Sequence, residues 1–265
     1  MITILLSHER SGSHLVNEYA GSLGYRLADE VCNPNAVDPL TSRMSFLRHR
    51  ANWTEANREI ALKFNYADHM AFLKSYFEHI QRLDDRPILV DIKYGHLHNF
   101  ERHWKPVFDR PVLFEAIEML GLKLIHLHRR NVVETAVSSQ IADQRQVWHS
   151  TDLTEATPAD QTHVVDAAKV VAEARLLLLQ TEWIGDNWVK GTNSFDLVYE
   201  DVVAALAYRS DVFARLAGFL EVPFTPGWTP NLQKLGRSLK SQLSNYPEVR
   251  AACQEAGLAD YLPAE

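Results

Sequence analysis

The stretch Met1-Ile-Thr-Ile-Leu-Leu-Ser-His-Glu-Arg-Ser-Gly-Ser-His-Leu15 decides the fold. Ile2, Ile4, Leu5 and Leu6 make an apolar run that reads as a buried strand. The run breaks at Ser7-His8-Glu9-Arg10-Ser11-Gly12-Ser13. Leu15, Val16, Tyr19 and Leu23 then recur at helical spacing until Gly24 closes the segment. A strand that passes through a small-residue turn into a helix aims several backbone N–H groups at one spot. The helix adds its positive end there, which makes an anion pocket suited to a phosphate. Gly12 lets the chain come close to a ligand, Ser11 and Ser13 offer hydroxyls, and Arg10 adds a fixed charge. The plain alternative is an ordinary βα turn in which a serine caps the helix. The GxxxxGK[ST] loop of nucleotide triphosphatases is absent, and so is the GxGxxG dinucleotide fingerprint; both absences argue against an ordinary ATPase, GTPase, kinase or dehydrogenase.

Composition narrows the class. The 265 residues suffice for one large domain or two small ones, and 46% hydrophobic content allows a sizeable core. A net charge of −7 argues against a broad nucleic-acid surface while leaving room for a local basic pocket. Cys32 and Cys253 are far apart, with neither a disulfide framework nor zinc spacing, and they suit a reducing cytoplasm. No stretch has the length of a membrane span and no signal peptide is visible, so a soluble cytoplasmic protein is expected.

Outward from the first loop, residues 25–53 are mixed, with turns at Asn33-Pro34-Asn35 and Asp38-Pro39, and a short helix is expected around Met44, Phe46 and Leu47. Residues 55–83 read as helix in up to two pieces, with Phe72, Tyr76, Ile80 and Leu83 on one face. Ile88 to Ile92 is a second strand candidate and ends in Asp91-Ile92-Lys93-Tyr94-Gly95. A short helix between Pro111 and Gly121 leads to a third strand at 122–127, and a helix to about Val147 follows. Residues 149–161 read as loop, 162–184 as a long helix and a candidate oligomer interface, 194–199 as a fourth strand, and the segment to Leu220 as helix. Residues 223–247 lack long elements, and a last short helix begins near Pro247. Strands alternating with helices predict an α/β fold, a parallel sheet with helices on both faces. One domain over residues 1–265 is expected, with a helical insertion at 36–83 and a C-terminal segment at 223–265. Ligands in such sheets bind beyond the carboxyl ends of the strands, where Arg10 to His14, Lys93 to His98 and Arg129 to Ser138 fall.

The second informative stretch is Arg130-Asn-Val-Val-Glu-Thr-Ala-Val-Ser138. An arginine at a strand's end and a serine two turns into the next helix can converge on one phosphate, as a fork and a hydroxyl; the alternative is a surface arginine and an ordinary helix serine. With these residues the sequence resembles the sulfotransferases that use 3′-phosphoadenosine 5′-phosphosulfate (PAPS). Their first loop, P-[RK]-S-G-[ST]-[ST], is matched by Glu9-Arg10-Ser11-Gly12-Ser13-His14, their Arg-x7-Ser by Arg130 and Ser138, and their Tyr-Glu-Asp by Tyr199-Glu200-Asp201. His126-Leu-His-Arg-Arg-Asn131, Ala136-Val-Ser-Ser139, Gln146-Val-Trp-His149, Asp29 to Pro34 and Asp91-Ile92-Lys93 are similar to the bacterial carbohydrate sulfotransferases acting on trehalose or lipochitin oligosaccharides.

The resemblance implies a P-loop-like fold and PAPS as cofactor, with no metal required. It implies that Arg10, Ser11, Gly12 and Ser13, with His14 closing the loop, hold the 5′-phosphosulfate. Arg130 and Ser138 hold the 3′-phosphate, Tyr199 lies near the adenine, and Lys234 and Arg237 close over the cofactor. Glu9 departs from the usual Pro and brings a negative charge beside the anion site; His14 replaces a small hydroxyl residue. The implied reaction moves a sulfuryl group in line to a hydroxyl of a sugar or glycolipid. Glu30 is the first candidate base by its position in the family, and His98 the second. Arg10 and Lys93 stabilise the charge that spreads in transit. On residues alone, Lys93 reads equally as a solvated lysine at a strand terminus.

His96-Leu-His98 and His126-Leu-His128 each place two imidazoles on one strand face if the segments stay extended, but no third metal ligand stands at recognisable spacing. Trp183 and Trp188 read as core, and Trp148 as a sugar-stacking candidate. The competing functional classes are a kinase-like nucleotide-binding protein that lacks the loop lysine and a non-catalytic protein on the same fold. Acceptor specificity would come from residues 36–83, 95–110 and 146–161, which carry no readable code.

Overall fold

Ile2, Ile4, Leu5 and Leu6 are apolar on successive as well as alternate positions, with Thr3 the one polar residue among them, because both faces of their strand are covered. In the computed structural model, which describes residues 1–33, 43–61, 65–101, 109–145, 162–208, 211–230 and 238–262, this run is the central strand β1 (Ile2–Ser7) of a parallel sheet. The other strands are β2 (Arg26–Ala28), β3 (Ile88–Lys93), β4 (Lys123–His128) and β5 (Ser194–Val198), in the order β2-β3-β1-β4-β5. Parallel strands buried on both sides need apolar residues at successive positions, not at alternate ones. The predicted parallel α/β class is what the chain adopts.

The helices in chain order are α1 (Ser13–Ser22), α2 (Phe46–Ala56), α3 (Arg58–Ala61), α4 (Tyr66–Leu83), α5 (Val112–Met119), α6 (Val132–Arg145), α7 (Ala167–Ile184), α8 (Tyr199–Tyr208), α9 (Val212–Leu220), α10 (Leu239–Gln242) and α11 (Tyr246–Glu255).

Register sorts the side chains into two layers. Ile4, Leu6, Val90, Ile92 and Leu124 pack with Phe46, Leu73, Tyr76 and Ile80 from α2 and α4 and with Phe114 from α5. On the other face Leu5, Leu89, Ile125, Leu127 and Leu197 meet Val16, Tyr19 and Ala20 of α1 and Leu216 and Leu220 of α9. Tyr19 and Tyr25 are buried there, and their hydroxyls donate to the carbonyls of Phe213 (2.9 Å) and Leu220 (3.2 Å). A buried phenol needs such a partner, because an unmet hydroxyl would cost about 1–3 kcal/mol of what the ring's burial contributes. Side-chain caps fix the starts of two helices: Ser45 accepts from Arg48 N at α2, and Asn65 from Ala67 N at α4.

The chain divides into two compact units, Met1–His128 with Trp183–Trp228, and Arg129–Glu182 with Thr229–Glu265. The first holds the sheet. The second has its own core, in which Val133, Ala136 and Val137 of α6 pack with Val170, Ala174 and Leu177 of α7 and with Val249 and Cys253 of α11.

Several expectations change. The short edge strand β2 is not foreseen, because three residues give no period to detect. The helix expected around Met44 to Leu47 runs on to Ala56 and the two expected pieces of 55–83 are α3 and α4, whereas 199–220, expected as one helix, is two. His163, expected in the long helix, instead forms a single parallel bridge with Leu243. The His96/His98 pair does not share a strand face: Tyr94–Phe100 winds into a 3₁₀ helix. Tyr94, Leu97 and Phe100 recur every third residue and are buried, which is the period of that helix and not of a strand. Trp188 is buried as expected, and Cys32 and Cys253 are buried free thiols. Among the described residues no helix is long and apolar enough to cross a membrane. Trp148, Lys234 and Arg237 lie outside the described residues.

Candidate active site

The topology selects one end of the sheet. The chain leaving β1 goes by way of α1 to β2 on one side, while the chain leaving β4 leads on to β5 on the other. Neighbouring strands whose connections part in this way leave a crevice beyond their carboxyl ends.

At that end of β1 the loop is shaped by its own hydrogen bonds. Ser11 Oγ donates to the His8 carbonyl (2.7 Å) and His8 Nδ1 to the Glu9 carbonyl (2.7 Å). Arg10 (φ 62°) and Gly12 (φ 88°) both take left-handed backbone. Gly12 is the N-cap of α1, no side chain caps the helix, and its first turn holds no acidic residue. The alternative of a serine N-cap therefore fails: Ser11 is turned back to His8. The positive end of the helix carries no side-chain cap and no acidic side chain, the setting in which helix starts receive anions. Gly12 is required twice over, since a Cβ there would stand 2.3 Å from Cδ2 and 2.4 Å from Cε2 of Tyr199. The Tyr199 ring thus lies directly on the loop.

Beneath the loop is a buried charge. Asp91 and Lys93 alternate along β3 and so share the face of Ser7, which pairs with Lys93 in register. Lys93 Nζ donates to Ser13 Oγ (2.7 Å), both Asp91 carboxylate oxygens (2.8 and 2.9 Å) and Ser7 Oγ (3.3 Å). The Lys93 and Asp91 side chains are 4% and 3% exposed, so the reading of Lys93 as a solvated strand-end residue is overturned. Asn17 Nδ2, one turn along α1, donates to Asp29 Oδ1 (2.8 Å) and Asp91 Oδ2 (3.4 Å). The first turn of α1 is bolted to β3 through Lys93, with Asp91 balancing the charge.

Glu30 follows β2 with left-handed backbone (φ 39°). A non-glycine residue held there is strained, and such strain gathers at functional sites. Asn33 donates from its side chain to Glu30 Oε2 (3.1 Å) and from its backbone to Glu30 O (2.6 Å). The exposed His14 imidazole ties these groups together. Its pKa is lowered by desolvation first and then by the Lys93 charge, with Asp91 and Glu30 pulling the other way and Arg10 adding to the lowering. Arg10, His14, Glu30, Asp91 and Lys93 therefore share one electrostatic neighbourhood. The Glu9 carboxylate is turned toward His8 (3.4 Å) and Gly95, whose Cβ would stand 3.3 Å from Glu9 Oε1. His98 is exposed on the 3₁₀ helix after β3.

In the second unit, Arg130 is exposed just before α6, and Ser138 is half-buried within that helix. Asn131 Oδ1 accepts from Glu134 N (3.0 Å) and caps α6. Arg129 pairs with Glu134.

A second polar cluster lies on the other sheet face. His126 and His128 share that face of β4, as the sequence predicts, and Asp196 of β5 stands in register with His126. Tyr94 Oη lies 2.6 Å from His126 Nε2, His126 Nδ1 2.9 Å from Asp196 Oδ1, and His128 Nε2 3.1 Å from Asp196 Oδ2. The hydrogen bonds from His126 and then His128 hold the Asp196 carboxyl below the usual carboxylate range. The reading that no third ligand accompanies these histidines is corrected here, since strand pairing supplies Asp196 from 68 residues away.

The model of the Stf0 sulphotransferase family matches residues 110–242, half of the chain. The chain belongs to the Stf0 sulphotransferase family. It is accordingly a sulfotransferase. Within the family match fall Arg130, Ser138, Tyr199, Lys234 and Arg237, whereas the loop at Arg10–Ser13, Glu30 and Lys93 precede it. Solved structures to which the chain is similar include the sulfotransferase domain of the Synechococcus PCC 7002 olefin synthase, at 14% identity over 100% of this chain and 95% of that one, with a TM-score of 0.44. Another is the sulfotransferase domain from the curacin biosynthetic pathway, at 15% identity, coverages of 100% and 92% and a TM-score of 0.40. A third is sulfotransferase STF9 from Mycobacterium avium, at 13%, 99% and 77%, and 0.40. No curated protein sequence matches the chain.

Of the residues singled out in the sequence, the structure brings Arg10, Ser13, His14, Glu30 and Lys93 into one neighbourhood. Asn17, Tyr94 and Asp196, which join the two polar clusters, were not singled out, and Asp91 was given no role. The Asp91-x-Lys93 alternation was the available signal for a same-face pair; Asp196 had none beyond being a charge within a strand.

Proposed function

We propose that this sulfotransferase moves the sulfuryl group of PAPS to a hydroxyl of a carbohydrate or glycolipid acceptor. The observation that carries the reading is the uncapped start of α1 at Gly12, with Lys93 holding Ser13 beneath it. That donor set suits a phosphosulfate: the positive end of a helix without a side-chain cap, the loop serines and Arg10, with no acid in the first turn. When bound, PAPS supplies an activated sulfuryl group, which the acceptor oxygen takes as the bond to the bridging phosphate oxygen breaks.

The chain's own residues then have distinct tasks. Arg10 and the loop amides face the oxygens on which negative charge grows. Ser11, Gly12, Ser13 and His14 complete the 5′ site. Lys93 acts through Ser13, since its ammonium is already committed to Asp91 and two serines. Glu30, oriented by Asn33, accepts the acceptor's proton, and His98 is the second candidate for that role. Arg130 and Ser138 take the 3′-phosphate. Tyr199, whose ring lies on the loop, is assigned to the adenine, and the family pattern assigns Lys234 and Arg237 to the cofactor as well. The two buried free cysteines suit a cytoplasmic enzyme, and residues 1–265 act as one catalytic domain.

The test is transfer of radiolabelled sulfate from PAPS to a panel of sugars and glycolipids, with γ-labelled ATP as a parallel donor. Label passing from PAPS to a sugar hydroxyl supports the reading. Label passing only from ATP overturns it in favour of a kinase-like enzyme.

A further inference from the structure

The cluster on the far face of the sheet stands outside this reaction scheme. Its parts are fixed by strand pairing. His126 and His128 are two residues apart on β4, and Asp196 is the in-register partner of His126 on β5. The donor atoms of all three side chains lie within 4.8 Å of one another. A tetrahedral zinc ion with bonds of about 2.0–2.1 Å spaces its donors by about 3.3 Å. The two imidazole–carboxylate separations, 2.9 and 3.1 Å, need only a small opening to reach that value.

Three further features match a metal centre. Metal-bound imidazoles usually donate their other N–H to an oxygen, which fixes the ring and its tautomer. Here His126 has Tyr94 Oη on Nε2, at 2.6 Å, while Nδ1 points to the carboxylate. The surroundings are graded: the His126 side chain is 3% exposed, His128 18% and Asp196 64%. An ion therefore has a rigid floor, an entry path and room for water at a fourth position. Finally, among the described residues the ion-pair partners of Asp196 are the two imidazoles, with no lysine or arginine. A dication would meet one full negative charge and no competing cation.

We propose that His126, His128 and Asp196 bind a divalent transition-metal ion of the zinc class, with Tyr94 as the oxygen partner of His126. The ligand set is two nitrogens and one carboxylate oxygen, which suits zinc or cobalt over magnesium or calcium. The ion takes the place of the ring proton at His126 Nδ1 and His128 Nε2; each ring then carries its N–H on the other nitrogen, which in His126 donates to Tyr94 Oη. The ion joins the edge strand β5 to β4 just before Tyr199, whose ring lies on Gly12. It is a staple for that edge and has no part in sulfuryl transfer as proposed above.

The experiment titrates chelator-treated full-length protein with Co²⁺, reading visible d–d absorption, followed by displacement with Zn²⁺. One tetrahedral cobalt per chain is expected, together with slower amide exchange in β5. Asp196→Asn and His128→Gln, both at partly exposed positions, should remove the tetrahedral signal. Tyr94→Phe should weaken zinc binding about 10- to 100-fold while keeping the signal. His79→Ala is the control, because His79 stacks on His49 elsewhere on the surface. A signal lost in His79→Ala but kept in Asp196→Asn overturns the proposal, as does a wild-type protein that shows no tetrahedral cobalt. His126 and His128 would then serve only as hydrogen-bond donors to Asp196.

Discussion

Two polar clusters stand near the carboxyl end of one sheet, on opposite faces, and burial separates their roles. On the α1 face, Lys93 and Asp91 are 4% and 3% exposed and satisfy each other and two serines. On the α4 face, Asp196 is 64% exposed, and among the described residues its ion-pair partners are imidazoles. A charge taken fully out of water must be paired, and once paired it becomes part of the frame. A charge left half in water, opposite imidazoles, stays accessible to a ligand. The loop after β1 draws on both principles: its floor is a closed ion pair, and its rim is a helix start without a side-chain cap.

The comparison is sharpened first by rate. Glu30→Gln keeps the shape of the rim and removes its proton acceptor; a loss of about 10²- to 10⁴-fold in kcat is expected, with the affinity for adenosine 3′,5′-bisphosphate nearly unchanged. Steady-state kinetics with calorimetry reads both, and a variant that retains most of the wild-type kcat would transfer the role to His98.

The floor comes next. Lys93→Met leaves Asp91 buried and uncompensated, so about 3–5 kcal/mol of stability should go, measured by urea unfolding. Lys93→Met combined with Asp91→Leu should recover a large part of that, because the pair then leaves together. A single variant that loses under about 1 kcal/mol would mean water reaches the pair and the contrast with Asp196 is false.

Gly12→Ala ranks third. It places a Cβ against the Tyr199 ring at 2.3 Å and demands a left-handed alanine, so about 1–3 kcal/mol of destabilisation is expected from backbone strain alone. Gly12→Ala combined with Tyr199→Ala relieves the clash and leaves the backbone part. Equal losses in the single and double variants would show that the ring does not press on the loop.

The smallest effect belongs to the open cluster. In chelator-treated protein, Asp196→Asn should cost less than about 1 kcal/mol, in keeping with an exposed pair, against several for Lys93→Met. A loss as large as that of Lys93→Met would erase the distinction between frame and rim.

How much of this was legible in the sequence follows the range of the forces involved. Ile2 to Leu6 announced a strand covered on both sides, and Leu15, Val16 and Tyr19 announced the helix behind the loop, because local periodicity reflects burial. Arg10 and Glu30 were reached through the family pattern, yet their left-handed backbones were invisible: neither is a glycine. The pairing of His96 with His98 holds only if the segment stays extended, and Tyr94, Leu97 and Phe100, spaced by three, are the signal that it does not. Asp196 was out of reach for a different reason. Its role depends on which strand lies beside β4, and strand order is a long-range property that no local spacing encodes.

The function proposed above assigns the 5′-phosphosulfate of the nucleotide to the loop at Arg10–Ser13 and its 3′-phosphate to Arg130 and Ser138. The direct measurement is thermal unfolding of the full-length protein with adenosine 3′,5′-bisphosphate and, separately, with AMP. A ligand that binds the native state raises Tm in proportion to its affinity. The bisphosphate should raise Tm clearly, and AMP, which lacks the 3′-phosphate, far less. Equal shifts from the two nucleotides, or no shift from either, would contradict it.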